Sequence, residues 1–159
     1  MAGPFPNHCM ANTFGQQKIK ETNPKLKGIY IENPLTNANF KGLEIKILQA
    51  IREIQSVNSK RLSPRWIYFE KQNYDAFSNL NLQKLLYRLK TKNAVVFGVG
   101  TDYSVKEAVL GMQKRGIQTY LVEDAIKGIF PDSTKFSIIE MEEMGTRFVK
   151  TKVVLEGKI

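Results

Sequence analysis

Apolar and polar positions alternate weakly at the start of the chain and strongly from residue 28 onward. Residues 1–27 are punctuated by Pro4, Pro6, Gly15 and Pro24, with few apolar residues in period, and read largely as loop. Gly28 to Glu32 (GIYIE) reads as a short strand stopped by Asn33-Pro34. From Leu43 to Val57 the apolar residues Leu43, Ile47, Ala50, Ile54 and Val57 recur at helical spacing, and Leu48 and Ile51 widen the stripe. Trp66 to Phe69 is an aromatic and β-branched run that predicts a strand. Leu82, Leu85, Leu86 and Leu89 predict a second helix opened by Asn79 or Asn81.

Ala94 to Phe97 is a continuous apolar run, the pattern of a strand covered on both faces. Gly98 and Gly100 then allow a tight turn, and Thr101 or Asp102 can cap the helix that follows. That helix is expected to bury Val105, Ala108, Val109 and Met112 and to end at Gly116. Gln118 to Glu123 predicts a strand closed by Asp124. Pro131, Asp132 and Ser133 open a last helix with Phe136, Ile139 and Met144 inward, and Thr146 to Val149 give a final strand. Short strands alternating with helices imply right-handed βαβ crossovers and a mostly parallel sheet, an α/β fold in one domain over 1–159.

Composition narrows the function classes. No apolar run reaches the roughly eighteen residues of a membrane span, and the opening MAGPFPNHCM lacks the regions of a signal peptide. One cysteine, Cys9, leaves no internal disulfide framework and fits a reducing, cytoplasmic setting. The net charge is +9, from 24 Lys and Arg against 15 Asp and Glu, but the lysines are scattered over polar faces. No basic block, zinc-finger spacing or RNP-like motif accompanies them, which argues for a solvated surface and against a nucleic-acid partner.

Gly98-Val99-Gly100 resembles the start of a dinucleotide fingerprint, but Tyr103 stands where its last glycine would be, so no nucleotide cofactor is expected. Ser104 has no G-x-S-x-G elbow. His8 and Cys9 have no second cluster, so no metal site is expected there. Lys71 and Ser104 stand out by position. Each follows the carboxyl end of a predicted parallel strand, the edge where open α/β sheets bind ligands. A lysine there can orient a nucleophile or lower the pKa of a neighbouring acid, although a plain surface lysine at a strand end fits the same pattern.

Four segments in order resemble the isochorismatase-like hydrolases, or cysteine hydrolase superfamily, which includes nicotinamidases and N-carbamoylsarcosine amidase. They are FPNHCMANTFGQQKI, KQNYDAF, VVFGVGTDYSV and YLVEDAIKGI, and the likeness runs from about Phe5 to Val153. The resemblance implies a three-layer α-β-α domain with a Rossmann-like, mostly parallel sheet. It implies hydrolysis of a small amide or vinyl ether by an Asp, a Lys and a Cys. It places the lysine at Lys71 and the nucleophile at Ser104, in a motif that ordinarily reads T-D-Y-C-V. It assigns the substrate and oxyanion turn to Val99, Gly100, Thr101 and Tyr103, with a non-proline cis peptide near Val99 and Gly100.

Two departures shape the expectation. Ser104 stands where the family has its cysteine, and a hydroxyl does not ionise near neutral pH as an activated thiol does. The family's Asp, its first strands and its metal site, where one exists, have no counterpart in this chain. Asp75, Asp102 and Asp124 fall on other motif positions, Asp102 as a cap of the helix carrying Ser104. The expectation is therefore an N-terminally truncated domain, impaired or inactive as an amide hydrolase. The alternative is a non-catalytic homologue that binds a small molecule or another subunit. The missing strands would leave sheet edges that favour a homo-oligomer, unless Gly28 to Glu32 fills the gap.

Overall fold

Strand and helix alternate as the sequence pattern requires, in an α/β fold whose strands, among the described residues, lie in two parallel sheets. The computed structural model describes residues 5, 6, 10, 13–18, 20, 28–32, 40–55 and 66–159. His8 and Cys9, and the side chains of Leu43, Ala50, Ile54 and Val57, lie outside what is described.

The first sheet pairs β1 (Ile29–Ile31) with β2 (Ile67–Phe69), in the register Ile29↔Ile67, Tyr30↔Tyr68 and Ile31↔Phe69. Parallel strands need a crossover, and α1 (Phe40–Gln55) supplies it. Ile47 and Ile51, one turn apart on α1, pack with Ile31 and with Leu85 of α2 (Leu80–Arg88); Ile29, Ile67, Phe69 and Leu89 close the cluster. Gly28 to Glu32 therefore extends β2 and does not fill a gap beside the second sheet.

The second sheet has the order β3 (Asn93–Val99), β4 (Gln118–Lys127), β5 (Arg147–Val149), all parallel. Between them run α3 (Lys106–Gln113) and α4 (Pro131–Glu143). Val105, Val109, Leu110, Leu121 and Met141 form the buried centre, with Val96, Ile126, Ile138 and Phe148 packed around them. Each such side chain contributes about 1.5–3 kcal/mol by leaving water.

Several expectations are corrected here. β4 does not stop at Asp124; its register with β3 shifts between Val96 and Gly98, and pairing resumes at Gly98↔Ile126 and Val99↔Lys127. An irregularity of that kind is not readable from alternation alone. β3 is not covered on both faces. Val95, Phe97 and Val99 face outward, and Phe97 is 68% and Val99 79% exposed, because no described element lies over them. The inner face of α4 is Ser137, Ile138 and Met141, while Phe136, Ile139 and Met144 are exposed. The rotation is set at the helix start, where Ser133 faces the buried Asp102; Ser137 and Met141 follow Ser133 at four-residue steps. A short helix, α5 (Thr151–Leu155), follows β5 and was not expected, being too brief to show a period. Among the described residues no peptide bond is cis. The turn after β3 is made instead by Gly100 at φ 77°, a left-handed conformation that glycine adopts without a Cβ clash.

Candidate functional site

Lys71 and Ser104 meet. Lys71 Nζ donates to Ser104 Oγ at 3.1 Å, although the two residues belong to different sheets. The same ammonium donates to the carbonyls of Asn73 at 2.8 Å and Tyr74 at 3.2 Å. These three acceptors are all oxygens, which suits the donor-only ammonium of a lysine. Lys71 is exposed and Ser104 half-buried, so the pair opens to solvent.

The lysine is positioned by local hydrogen bonds just past β2. Asn73 Oδ1 accepts from the Asp75 N–H at 2.9 Å, and Asp75 Oδ1 accepts from the Phe77 N–H at 2.8 Å. These side-chain-to-backbone bonds curl the segment in place of a strand ladder. Asn79 is fully buried. Its amide donates to the carbonyls of Ile31, Glu32 and Glu70, and its Oδ1 accepts from the Asn81 N–H at 3.1 Å. One side chain thus caps α2, as expected, and also ties together the ends of β1 and β2 immediately before Lys71. Sequence reasoning found the cap but not the tie, because any asparagine before a helix gives the same signal.

Ser104 sits in a different kind of support. Thr101–Val105 forms a π-helical turn that runs into α3, with the Val105 N–H donating to Gly100 O at 3.1 Å. Such turns are rare and often mark functional sites. No side chain caps it, which corrects the capping expected of Thr101 or Asp102. The Thr101 hydroxyl is buried without a hydrogen-bond partner among the described residues. The Asp102 carboxylate reaches across to the start of α4. It accepts from the N–H groups of Ile129 at 2.9 Å and Phe130 at 3.0 Å and from the Ser133 hydroxyl at 2.6 Å. Burial pushes the Asp102 carboxyl up, but the bonds from Ser133, Phe130 and Ile129 outweigh it and hold the group below the usual carboxylate range. Asp124 caps α5, accepting from Thr151 N–H and hydroxyl at 2.8 and 3.0 Å, and does not close its strand. The bond from the Thr151 N–H is the main reason its carboxyl lies below the usual range.

The remaining expected site residues cluster around the pair. Val99, Gly100 and Thr101 form the strand end and turn, and Tyr103 packs against Tyr74 from the lysine loop, with ring centroids 5.0 Å apart and planes tilted by 53°. Phe5 meets both Tyr103 and Phe130, extending an aromatic wall that the sequence did not signal. Two of the turn's N–H groups are already bonded, Gly100 to Lys127 O at 2.8 Å and Tyr103 to Gly100 O at 3.0 Å. Ser104 Oγ has one described side-chain partner, the Lys71 ammonium, which donates and cannot take the hydroxyl proton.

These features define an α/β domain in which a lysine and a serine from the carboxyl ends of separate parallel sheets meet. Residues 33–153 match the isochorismatase domain model, and the chain belongs to that family. Its fold is that of a pyrazinamidase of Pyrococcus horikoshii, solved in complex with zinc, at 24% identity and TM-score 0.60, over 93% of this chain and 64% of that one. A nicotinamidase/pyrazinamidase of Bacillus subtilis aligns at 17% identity and TM-score 0.57, over 92% and 64% of the two chains. An isochorismatase family protein of Desulfovibrio vulgaris aligns at 18% identity and TM-score 0.52, over 62% and 51%. The chain thus spans a little under two thirds of the length of the first two structures. Among curated protein sequences none matches significantly. The zinc of the Pyrococcus enzyme has no fit among the described residues here, where no three His, Cys, Asp or Glu side chains are grouped to hold a metal. No helix among them is long and apolar enough to cross a membrane.

Proposed function

We propose that the Lys71–Ser104 edge binds a small amide of the nicotinamide or pyrazinamide type and that this chain turns it over weakly or not at all. The reading rests on one observation above all, the 3.1 Å contact between Lys71 Nζ and Ser104 Oγ at the carboxyl ends of two parallel strands in an isochorismatase domain. In this reading Val99, Gly100, Thr101 and Tyr103 frame the substrate. The ammonium meets the amide oxygen, since the Gly100 and Tyr103 N–H groups are engaged elsewhere. Attack by Ser104 on the carbonyl needs a base to take the hydroxyl proton and pass it to the leaving amine. Asp75, Asp102 and Asp124 are each committed to backbone caps or clamps. Binding thus survives better than chemistry.

The test is ammonia release from a panel of small aromatic amides, with ligand binding followed in parallel and Lys71→Ala as control. The expected outcome is binding that weakens in Lys71→Ala, with little or no ammonia. Rapid Lys71-dependent release would sink the impaired reading, and absence of binding by any amide would sink the site itself.

A second reading, association with another copy of the chain, is favoured by the exposed row Val95, Phe97 and Val99 along β3. A monodisperse, cooperatively melting monomer at micromolar concentration would count against it.

A further inference from the structure

A concavity lies away from Lys71 and Ser104, between α2 and the end of α3. It is an open groove of about 730 Å³, within the range of small-molecule sites. Leu80, Leu86, Tyr87 and Ile117 give it apolar walls, and its charged lining residues are Lys84, Lys90 and Arg115, with no carboxylate among them.

The cations are set for a ligand in two different ways. Arg115 is held rigidly. Its guanidinium lies 3.8 Å from the centre of the Phe77 ring, Nη1 donates to Gly111 O at 2.8 Å, and Nε and Nη2 donate to Gln83 Oε1 at 3.2 and 3.0 Å. The second N–H of each terminal nitrogen has no partner among the described residues, and a fixed planar fork suits a carboxylate. Lys90 adopts φ 51°, alone among the non-glycine residues described. It stands just past α2, where the Thr91 N–H closes back on Leu86 O at 3.1 Å. That position favours glycine, and a lysine there is strained. The strained residue is one of those lining the groove. Neither Lys84 nor Lys90 has an acidic partner within the described residues.

We propose that this groove binds a small organic anion, a carboxylate on a flat apolar or aromatic body. The body lies against Leu80, Leu86 and Tyr87, and the carboxylate lies between Arg115 and Lys90. The charge imbalance of the lining favours an anion over a neutral molecule of the same shape, and the volume favours a small molecule over a peptide segment.

The experiment is amide-resolved NMR titration of the full chain with 2-naphthoate and with neutral 2-naphthylmethanol. The proposal expects shifts at 87–91 and 115–117, and affinity for the neutral probe weaker by about tenfold. Lys90→Gly should fold at least as well as the parent, because glycine relaxes the backbone there, yet bind 2-naphthoate about threefold or more weakly. Arg115→Gln should bind it more weakly still. Equal affinity for the two probes would overturn the proposal, as would unchanged binding in Lys90→Gly or shifts centred on Ser104 or β3. So would a groove that ignores 2-naphthoate and takes up an oligoglutamate peptide.

Discussion

Lys71 is carried by a sheet of two three-residue strands, whereas Ser104 follows a seven-residue strand paired with one of ten. The smaller sheet has three register pairs to hold it. Its carboxyl edge is therefore fixed by side chains bonding to backbone, namely Asn79 across three carbonyls and Asp75 on the Phe77 N–H. The larger sheet is held by its ladder and by the Asp102 clamp between the π-turn and α4. A charged side chain at a strand's carboxyl end is thus placed here by local turns and a buried asparagine more than by a long ladder. It then depends on fewer groups, and each of those matters more.

The two supports meet at Phe77, which is 4% exposed. A Cβ on Gly111 of α3 would lie 2.5 Å from its ring, so glycine is what lets the lysine loop approach the serine helix. Phe77→Ala is the substitution expected to do most damage, about 3–5 kcal/mol from an emptied contact. It should also loosen Lys71 more than Ser104. Urea unfolding of the variant measures the first, and hydrogen exchange at residues 71–78 against 101–105 measures the second. Equal loosening of both segments would erase the distinction between the two supports.

Asp102→Ala strikes the other support. It leaves the Ile129 and Phe130 N–H groups without their acceptor and should cost about 3 kcal/mol in urea unfolding. Its pH dependence has a definite sign. The folded carboxyl lies below its unfolded value of about 3.9, so its contribution is complete above that pH and is lost as pH falls through the lower folded value. The stability gap between parent and Asp102→Asn should therefore narrow below about pH 4. A gap that widens on acidification would mean that the clamp is not ionic.

The smallest effect is expected on the outer face of α4. Phe136 is 72% exposed, and Phe136→Ser should change stability by no more than about 0.5 kcal/mol. A larger loss would restore Phe136 to a core and undo the helix rotation set by Ser133.

How far the sequence could be read follows the same division. The helical stripe containing Ile47 and Ile51, the leucines of α2 and the strands around Tyr68, Val96 and Leu121 were legible, since burial imposes a period. Lys71 and Ser104 were legible as ends of parallel strands, and the structure brings them together. The inner face of α4 was not, because Ser137 is polar and Phe136 apolar, the reverse of their burial. The roles of Asp102 and Asp124 were not legible either. A carboxylate that caps a helix distant in sequence leaves no local pattern. The run Ala94 to Phe97 shows the need for cover on both faces of β3, which is a different thing from the cover itself.

The central claim, that a lysine from one sheet and position 104 of the other form one electrostatic unit, is tested most directly by a thiol at that position. In a Cys9→Ser background, the pH dependence of Ser104→Cys alkylation would be measured with Lys71 present and as Lys71→Met. The account predicts thiolate formation well below the ordinary cysteine value of about 8.5 when Lys71 is present, returning toward it without the ammonium. Identical pH profiles in the two proteins would contradict it.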